Sequence, residues 1–201
     1  MTQVIQEEHI AQAMSYAAYR QLITQLLAEN KTTGTNQEES LVMYAKLNNQ
    51  RMNRLDKTFT PTTATVEKVK EITENQIWLV LTEGWCGDAA QSVPILNKIA
   101  QANAKIDLKI LLRDEHLDVM DAFLTNGGRS IPKLICLQAA TLEVLWDWGP
   151  RPAVAQKMVM DYKASPTGPY EAFVETIHMW YTKDKGANIQ QEIIEKIDRQ
   201  K

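Results

Sequence analysis

The stretch Ile77–Pro94, IWLVLTEGWCGDAAQSVP, decides the fold of this chain. Its first five residues, Ile77–Leu81, are apolar and rich in bulky and β-branched side chains, which predicts a buried strand. The pattern breaks at Gly84, and apolar residues then recur at three- and four-residue intervals from Ala89 onward, which predicts a helix. Cys86 therefore falls at the start of the helix in a strand–turn–helix unit.

The position of Cys86 predicts a reactive thiol, because unpaired N–H groups and the helix dipole at a helix N-terminus favour a thiolate. The alternative is a position of the fold that no longer reacts. Asp88 acts in the opposite direction, because its carboxylate repels a thiolate. Asp88 can hold or relay a proton during exchange, or can simply occupy the first helical turn, where acidic residues are favoured.

These residues resemble the active-site segment of the thioredoxin superfamily. The match consists of the apolar strand, Trp85 directly before Cys86, Gly87 directly after it, and Pro94 inside the helix. The redox motif of that family is Cys-x-x-Cys, whereas Ala89 stands at the second cysteine position here. A mixed disulfide at Cys86 would therefore persist until an external thiol attacked it.

Two later landmarks of the family follow in the same order. Ile131 and Pro132 match an apolar residue and a cis-proline before a strand, and the resemblance implies that they position the partner. Gly149 resembles the glycine of a later loop, which would leave the partner room. The similarity covers about residues 61–164. It is closest to a bacterial subgroup marked by Trp-Cys-Gly-Asp and by the loop that stands here as Asn126–Pro132.

The resemblance implies an α/β thioredoxin-like fold, with a central mixed sheet flanked by helices and with helical extensions at both ends. We expect an N-terminal helical extension (1–60), a thioredoxin-like core (61–164) and a C-terminal helical extension (165–201). The added helices could cover the sheet, shape a cleft beside Cys86 or form a homodimer contact. Periodicity and turn residues predict these elements: helices from Val4 to about Glu29, from the capping-box sequence Thr35–Glu38, and over Thr65–Thr73, Leu117–Leu124, Pro152–Lys163, Tyr170–Tyr181 and Asn188–Ile197; strands over Ile106–Leu112, Lys133–Leu137 and Leu142–Trp148.

Three arginines follow segments expected at the same edge of the sheet as Cys86. Arg113 ends a strand predicted to be parallel to Ile77–Leu81, Arg129 precedes the proline loop, and Arg151 follows Gly149-Pro150. Together they could stabilise a thiolate and a carboxylate-bearing thiol. The alternative is that these side chains are separately solvated, or that Arg113 pairs with an acidic neighbour.

Composition narrows the choice of partners. The 201 residues carry a formal net charge of −3, which gives no electrostatic case for nucleic acid. No terminus has an 18-residue apolar run or the blocks of a signal peptide, so we expect a cytoplasmic protein with no membrane association. The two cysteines imply no disulfide framework, and Cys136 reads as a core residue. Three scattered histidines have no metal-ligand spacing, so no metal or organic cofactor is expected. His116 could carry a proton, whereas His9 and His178 have no companions in sequence.

The sequence thus favours a monothiol thioredoxin-like protein, which performs thiol–disulfide exchange or thiol redox sensing through Cys86. Its partners would be protein thiols and disulfides or a low-molecular-weight thiol, and whether it is an enzyme stays open. The alternative is a redox-inactive thioredoxin-fold module that binds a protein partner. The pKa of Cys86 bears on the choice, because a lowered value supports catalysis, whereas a value at or above that of a free thiol supports binding.

Overall fold

The computed structural model describes residues 4–200. Within them the helices are α1 (Glu7–Gln12), α2 (Tyr16–Ala28), α3 (Glu39–Thr58), α4 (Thr63–Lys70), α5 (Gly87–Ala100), α6 (Leu117–Asp121), α7 (Ala153–Ala164), α8 (Tyr170–Asp184) and α9 (Ala187–Asp198). The strands are β1 (Met14–Ser15), β2 (Gln76–Thr82), β3 (Ile106–Leu112), β4 (Lys133–Gln138) and β5 (Val144–Trp148). None of the helices in this range is long and apolar enough to cross a membrane.

The strands form one mixed sheet in the order β1-β3-β2-β4-β5. β2 lies in the middle and is buried along its whole length, as its apolar sequence predicts. It pairs in parallel with β3 and antiparallel with β4, and β5 completes an antiparallel hairpin at the edge. The predicted parallel pair and the predicted hairpin are confirmed. Because parallel strands end at the same edge of a sheet, the segments that follow β2 and β3 lie side by side.

The prediction of one helix from Val4 to Glu29 is wrong. The backbone becomes extended at Ala13, and β1 pairs antiparallel with the outer side of β3, with Met14 opposite Ile110. This pairing satisfies backbone groups that an open sheet edge would leave exposed. A two-residue strand leaves the spacing of the apolar residues almost unchanged, so periodicity alone does not reveal it.

The predicted capping box before α3 does not form. Glu38 is the N-cap residue and makes no side-chain capping bond. Gln37 instead binds back into the preceding loop, where its amide accepts from the N–H of Thr32 at 2.9 Å and donates to the carbonyl oxygen of Gly34 at 2.7 Å. The helix predicted over Leu117–Leu124 also ends earlier, at the last residue of α6. The other predicted elements are present, with ends shifted by a few residues.

Two hydrophobic clusters fill the space on the two faces of the sheet. Trp78 of β2 packs edge to face on Trp146 of β5, with ring centroids 5.5 Å apart. Cys136 is fully buried in the same cluster, so its predicted core role is confirmed. α9 contributes Ile189 and Ile193 to this cluster, so the C-terminal end of the chain completes the core.

Candidate functional site

Cys86 is the N-cap residue of α5, as predicted, and its sulfur lies beside the proline loop. The thiol donates a hydrogen bond to the carbonyl oxygen of Ile131, with Sγ and O 3.2 Å apart. The peptide bond between Ile131 and Pro132 is cis, which confirms the prediction from the resemblance. The residue as a whole is half-buried, but it packs against both hydrophobic clusters. Both cysteines are free.

The environment of Cys86 favours the neutral thiol. Burial raises the pKa of Cys86 to about 12, and repulsion from the Asp88 carboxylate adds to the effect. The N–H of Ala89 and the Arg151 guanidinium act in the opposite direction. The S–H bond to the Ile131 carbonyl also requires the proton on sulfur. The expectation that the helix start would yield a thiolate is therefore wrong for the resting protein, since desolvation outweighs the helix dipole.

The carboxylate of Asp88 is held on both sides and does not face open solvent. Its Oδ2 accepts from Nε and Nη2 of Arg151 at 3.0 and 2.5 Å, and its Oδ1 accepts from the Tyr181 hydroxyl at 2.8 Å. Arg151 also donates to Oε1 of Gln156 at 2.7 Å. This network connects the first turn of α5 to the loop after β5 and to α8. It fixes the negative charge of Asp88 near the sulfur and pairs that charge with the positive charge of Arg151.

α8 covers the glycine that follows the cysteine. A Cβ atom on Gly87 would lie 2.9 Å from Cε1 of His178. The ring of His178 is also 3.3 Å from the amide nitrogen of Gln91, measured at Nδ1. Burial lowers the pKa of His178 to about 4, so the ring is neutral at pH 7. Sequence reasoning treated His178 as incidental, because α8 carries no motif that points to the cysteine.

A cavity of about 260 Å³ opens beside this contact, between α7, α8 and the first turn of α5. Tyr162 and Phe173 stack in its wall, with ring centroids 4.1 Å apart. Gly87 and Asp88 line it, whereas Cys86 does not. α8 therefore forms part of the wall of a cavity next to Gly87 and Asp88, whereas a cleft beside Cys86 itself stays a prediction.

The three arginines do not converge on the sulfur. The guanidinium of Arg113 lies over the ring of Trp85, 4.9 Å from its centroid, and pairs with Asp114 at 2.6 Å. Arg113 also donates to the backbone carbonyl of Arg129 at 3.2 Å. The side chain of Arg129 is exposed and binds Asp121 through two hydrogen bonds, at 2.6 and 2.8 Å. Neither guanidinium acts on the thiol, so the predicted convergence is wrong for these two residues.

Gly149 makes room for the chain itself. Its φ is +118°, and a Cβ atom there would lie 2.2 Å from the carbonyl oxygen of Pro132. The resemblance implied that this glycine leaves space for a partner. The structure shows that the backbone of the proline loop fills this space, so Gly149 lets the loop after β5 pack closely on the proline loop.

Glu83 is a buried acid that the sequence analysis did not single out. It follows β2 directly and is fully buried, and its Oε1 accepts from the N–H of Asp114 at 2.9 Å. Burial raises the pKa of Glu83 to about 7, while the Thr33 hydroxyl and the Asp114 N–H act in the opposite direction. The sequence offered one signal that could have identified it: this glutamate stands directly between an apolar strand and the cysteine loop.

Comparison with known proteins defines the class. The sequence model of a family described as thioredoxin matches residues 34–163, more than half of the chain. The chain belongs to this thioredoxin family. The matched range includes α3, which the sequence analysis assigned to the N-terminal extension. The thioredoxin-like fold with helical additions, expected from the sequence, is confirmed.

Two solved structures share the fold. A protein of unknown function from Pseudomonas aeruginosa is 17% identical with a TM-score of 0.56, over 92% of this chain and 98% of that chain. An HIV epitope scaffold is 17% identical with a TM-score of 0.55, over the same shares of the two chains. No curated protein matches this chain.

Opposite changes in thiol reactivity are expected when the two charges near Cys86 are removed separately. Asp88→Asn removes the repelling carboxylate and leaves the positive charge of Arg151 without its ion-pair partner, so the pKa of Cys86 falls. Arg151→Ala removes the attracting charge and raises that pKa. Because one pKa unit is a tenfold change in thiolate, we expect the alkylation rate of Cys86 at pH 8 to rise about tenfold in the first variant. Alkylation rates measured from pH 6 to 11 provide the test. Arg129→Ala serves as the control and should match the wild type.

Proposed function

We propose that this protein is a monothiol thioredoxin-like protein, and that Cys86 exchanges with the disulfides or thiols of a partner. The observation that carries the proposal is the 3.2 Å contact between Sγ of Cys86 and the carbonyl oxygen before cis-Pro132. A partner strand that paired with the backbone segment beside Cys86 would bring its own sulfur close to Sγ. The sequence agrees, because it resembles the Trp-Cys-Gly-Asp subgroup that lacks the resolving cysteine.

The exchange proceeds in two external steps. Cys86 first gives its proton to a base in solvent or on the partner, and the thiolate then attacks a disulfide sulfur of the partner. One S–S bond breaks, a mixed disulfide with Cys86 forms, and the other half of the partner leaves as a thiolate. Because Ala89 supplies no second sulfur, a further thiol from solution must attack the mixed disulfide and release Cys86. The raised pKa of Cys86 makes the first step slow at neutral pH.

A second candidate function is a redox-inactive module that binds a protein partner. Two observations favour it: the raised pKa of Cys86, and the cover that His178 forms over Gly87. In this case the proline loop and the cleft beside α8 would bind the partner without chemistry at the sulfur. Both functions place the partner at the same edge of the sheet, so they differ only in whether a covalent adduct forms.

Adduct formation separates the two functions. The reduced protein is incubated with oxidised glutathione at pH 8 and 9 and analysed by intact-mass spectrometry. We expect one glutathione adduct per chain in the wild type and in Cys136→Ser, and none in Cys86→Ser. Addition of reduced glutathione should remove the adduct, because an external thiol resolves it. A wild-type protein that stays unmodified while a cysteine peptide reacts under the same conditions would rule out exchange and leave the binding module.

A further inference from the structure

Three metal-ligating side chains meet away from Cys86. His9 of α1, His116 just before α6, and Asp118 in its first turn each offer one ligand atom, and these atoms all lie within 4.8 Å of one another. Nε2 of His9 is 3.0 Å from Oδ2 of Asp118, and the rings of His9 and His116 meet edge to face. Two imidazoles and one carboxylate are a donor set for zinc and related divalent ions. We propose that these residues bind a divalent transition-metal ion of the zinc class.

The spacing of the cluster is close to that of a metal site. Bonds of about 2.0 to 2.2 Å from zinc to nitrogen and oxygen place neighbouring tetrahedral ligands about 3.3 Å apart. The pair His9 and Asp118 is already near this separation, at 3.0 Å. The other spacings, which are at most 4.8 Å, would close through rotation of His116 and Asp118, which are half-buried and exposed respectively. His9 is buried and provides the fixed ligand.

The exposure of Asp118 and the burial of His9 determine the route by which the ion would reach the cluster. It enters from the solvent side at Asp118 and reaches His9 at the bottom of the cluster. Three protein ligands leave the fourth tetrahedral position for water, as in zinc sites that keep an open position. The cysteines take no part, since Cys86 lies beside the proline loop and Cys136 is in the core.

Metal binding requires a change of tautomer at His9. The backbone N–H of Gln6 donates to Nδ1 of His9 at 3.0 Å, so the proton of the neutral ring is on Nε2 and is donated to Asp118. An ion bound at Nε2 takes the place of this proton, and the ring then carries its proton on Nδ1. Two N–H groups would face each other there, so the hydrogen bond from Gln6 must break. The amide signal of Gln6 therefore reports occupancy of the site.

The ion would connect two parts of the chain that are far apart in sequence. His9 lies outside the residues matched by the thioredoxin family, whereas His116 and Asp118 lie inside them. The turn before His116 carries Arg113, which stacks on Trp85. The metal would thus fasten the N-terminal helix to the sheet edge that carries the cysteine. This inference does not depend on the proposed exchange.

Zinc binding is tested on the full-length, tag-free chain after treatment with a chelator. Equilibrium dialysis against zinc chloride, followed by atomic absorption, gives the bound zinc per chain. We expect one zinc per chain, and at least about tenfold weaker binding in both His116→Ala and Asp118→Asn, since each variant loses one ligand. In a ¹⁵N NMR titration the Gln6 amide should shift with the same zinc dependence.

Two matched variants act as controls. His178→Ala removes a histidine elsewhere, and Cys86→Ser removes the half-buried thiol, so both should bind zinc as the wild type does. Circular dichroism verifies that each variant is folded, and His116 and Asp118 are preferred to His9 because they are not packed in the core. Absence of stoichiometric zinc in the wild type would overturn the assignment. So would wild-type affinity in either ligand variant, or loss of binding in either control.

Discussion

Replacing Gly149 with alanine is expected to destabilise the fold by about 2 to 6 kcal/mol. A side chain at φ +118° adopts a backbone conformation that costs about 1 to 3 kcal/mol. The added Cβ atom would also lie 2.2 Å from the carbonyl oxygen of Pro132, and relief of such overpacking costs about 1 to 3 kcal/mol more. Urea unfolding followed by circular dichroism gives the free energy of unfolding.

Gly127 provides the matched control for this prediction. It also has a positive φ, +74°, but a Cβ atom there meets nothing within 4 Å. Gly127→Ala should therefore cost only the left-handed backbone term, about 1 to 2 kcal/mol. Equal losses in the two variants would show that the contact between Gly149 and the proline loop contributes nothing to stability.

The contribution of Glu83 to the free energy of unfolding is expected to fall by about 3 kcal/mol between pH 4.5 and pH 7. Burial raises the pKa of Glu83 to about 7, whereas the unfolded chain has the ordinary value near 4.3. Between these values the folded state binds one proton more than the unfolded state, so the free energy of unfolding decreases as pH rises. Well above pH 7 the carboxyl group is ionised in both states, and this contribution no longer changes.

Glu83→Gln removes this pH dependence, because an amide stays neutral while it still accepts from the N–H of Asp114. Urea unfolding at pH 5, 6, 7 and 8 should therefore give a flatter profile than the wild type. Glu74→Gln is the matched control, since Glu74 is an exposed glutamate at the other end of β2. An identical slope in the wild type and Glu83→Gln would mean that Glu83 is ionised throughout this range.

The fold could be predicted because its signals are local. The apolar runs of β2 and β3, the turn before Cys86 and the two prolines of the later loops are each recognised from a few neighbouring residues. β1 escaped detection because two residues are too few for a periodic pattern, and its place is set by the unpaired edge of β3. The ends of several elements differ from the prediction, because helix capping depends on contacts with other segments, such as those of Gln37.

The site could be predicted only in part. The sequence located Cys86 and the cis-proline, because a family resemblance fixes both. It did not reveal that Arg151 and Tyr181 would meet at Asp88, since these residues come from three separate elements. The predicted direction of the Cys86 pKa shift was wrong, because the desolvation that raises this pKa depends on how the folded chain packs. The spacing of the histidines in sequence argued against a metal site. It could not show that His9 and His116, which are 107 positions apart, meet in the folded chain.

The hydrogen bond from Cys86 to Ile131 makes the proline loop a reporter of what has happened to the sulfur. A thiol can donate to the carbonyl oxygen of Ile131, whereas an alkylated, sulfenylated or disulfide-bonded sulfur has no S–H proton to give. Every such modification deprives that carbonyl of its present donor. Water or the backbone of a docked strand then has to supply the missing proton, so the infrared frequency of this one amide registers covalent change at the cysteine.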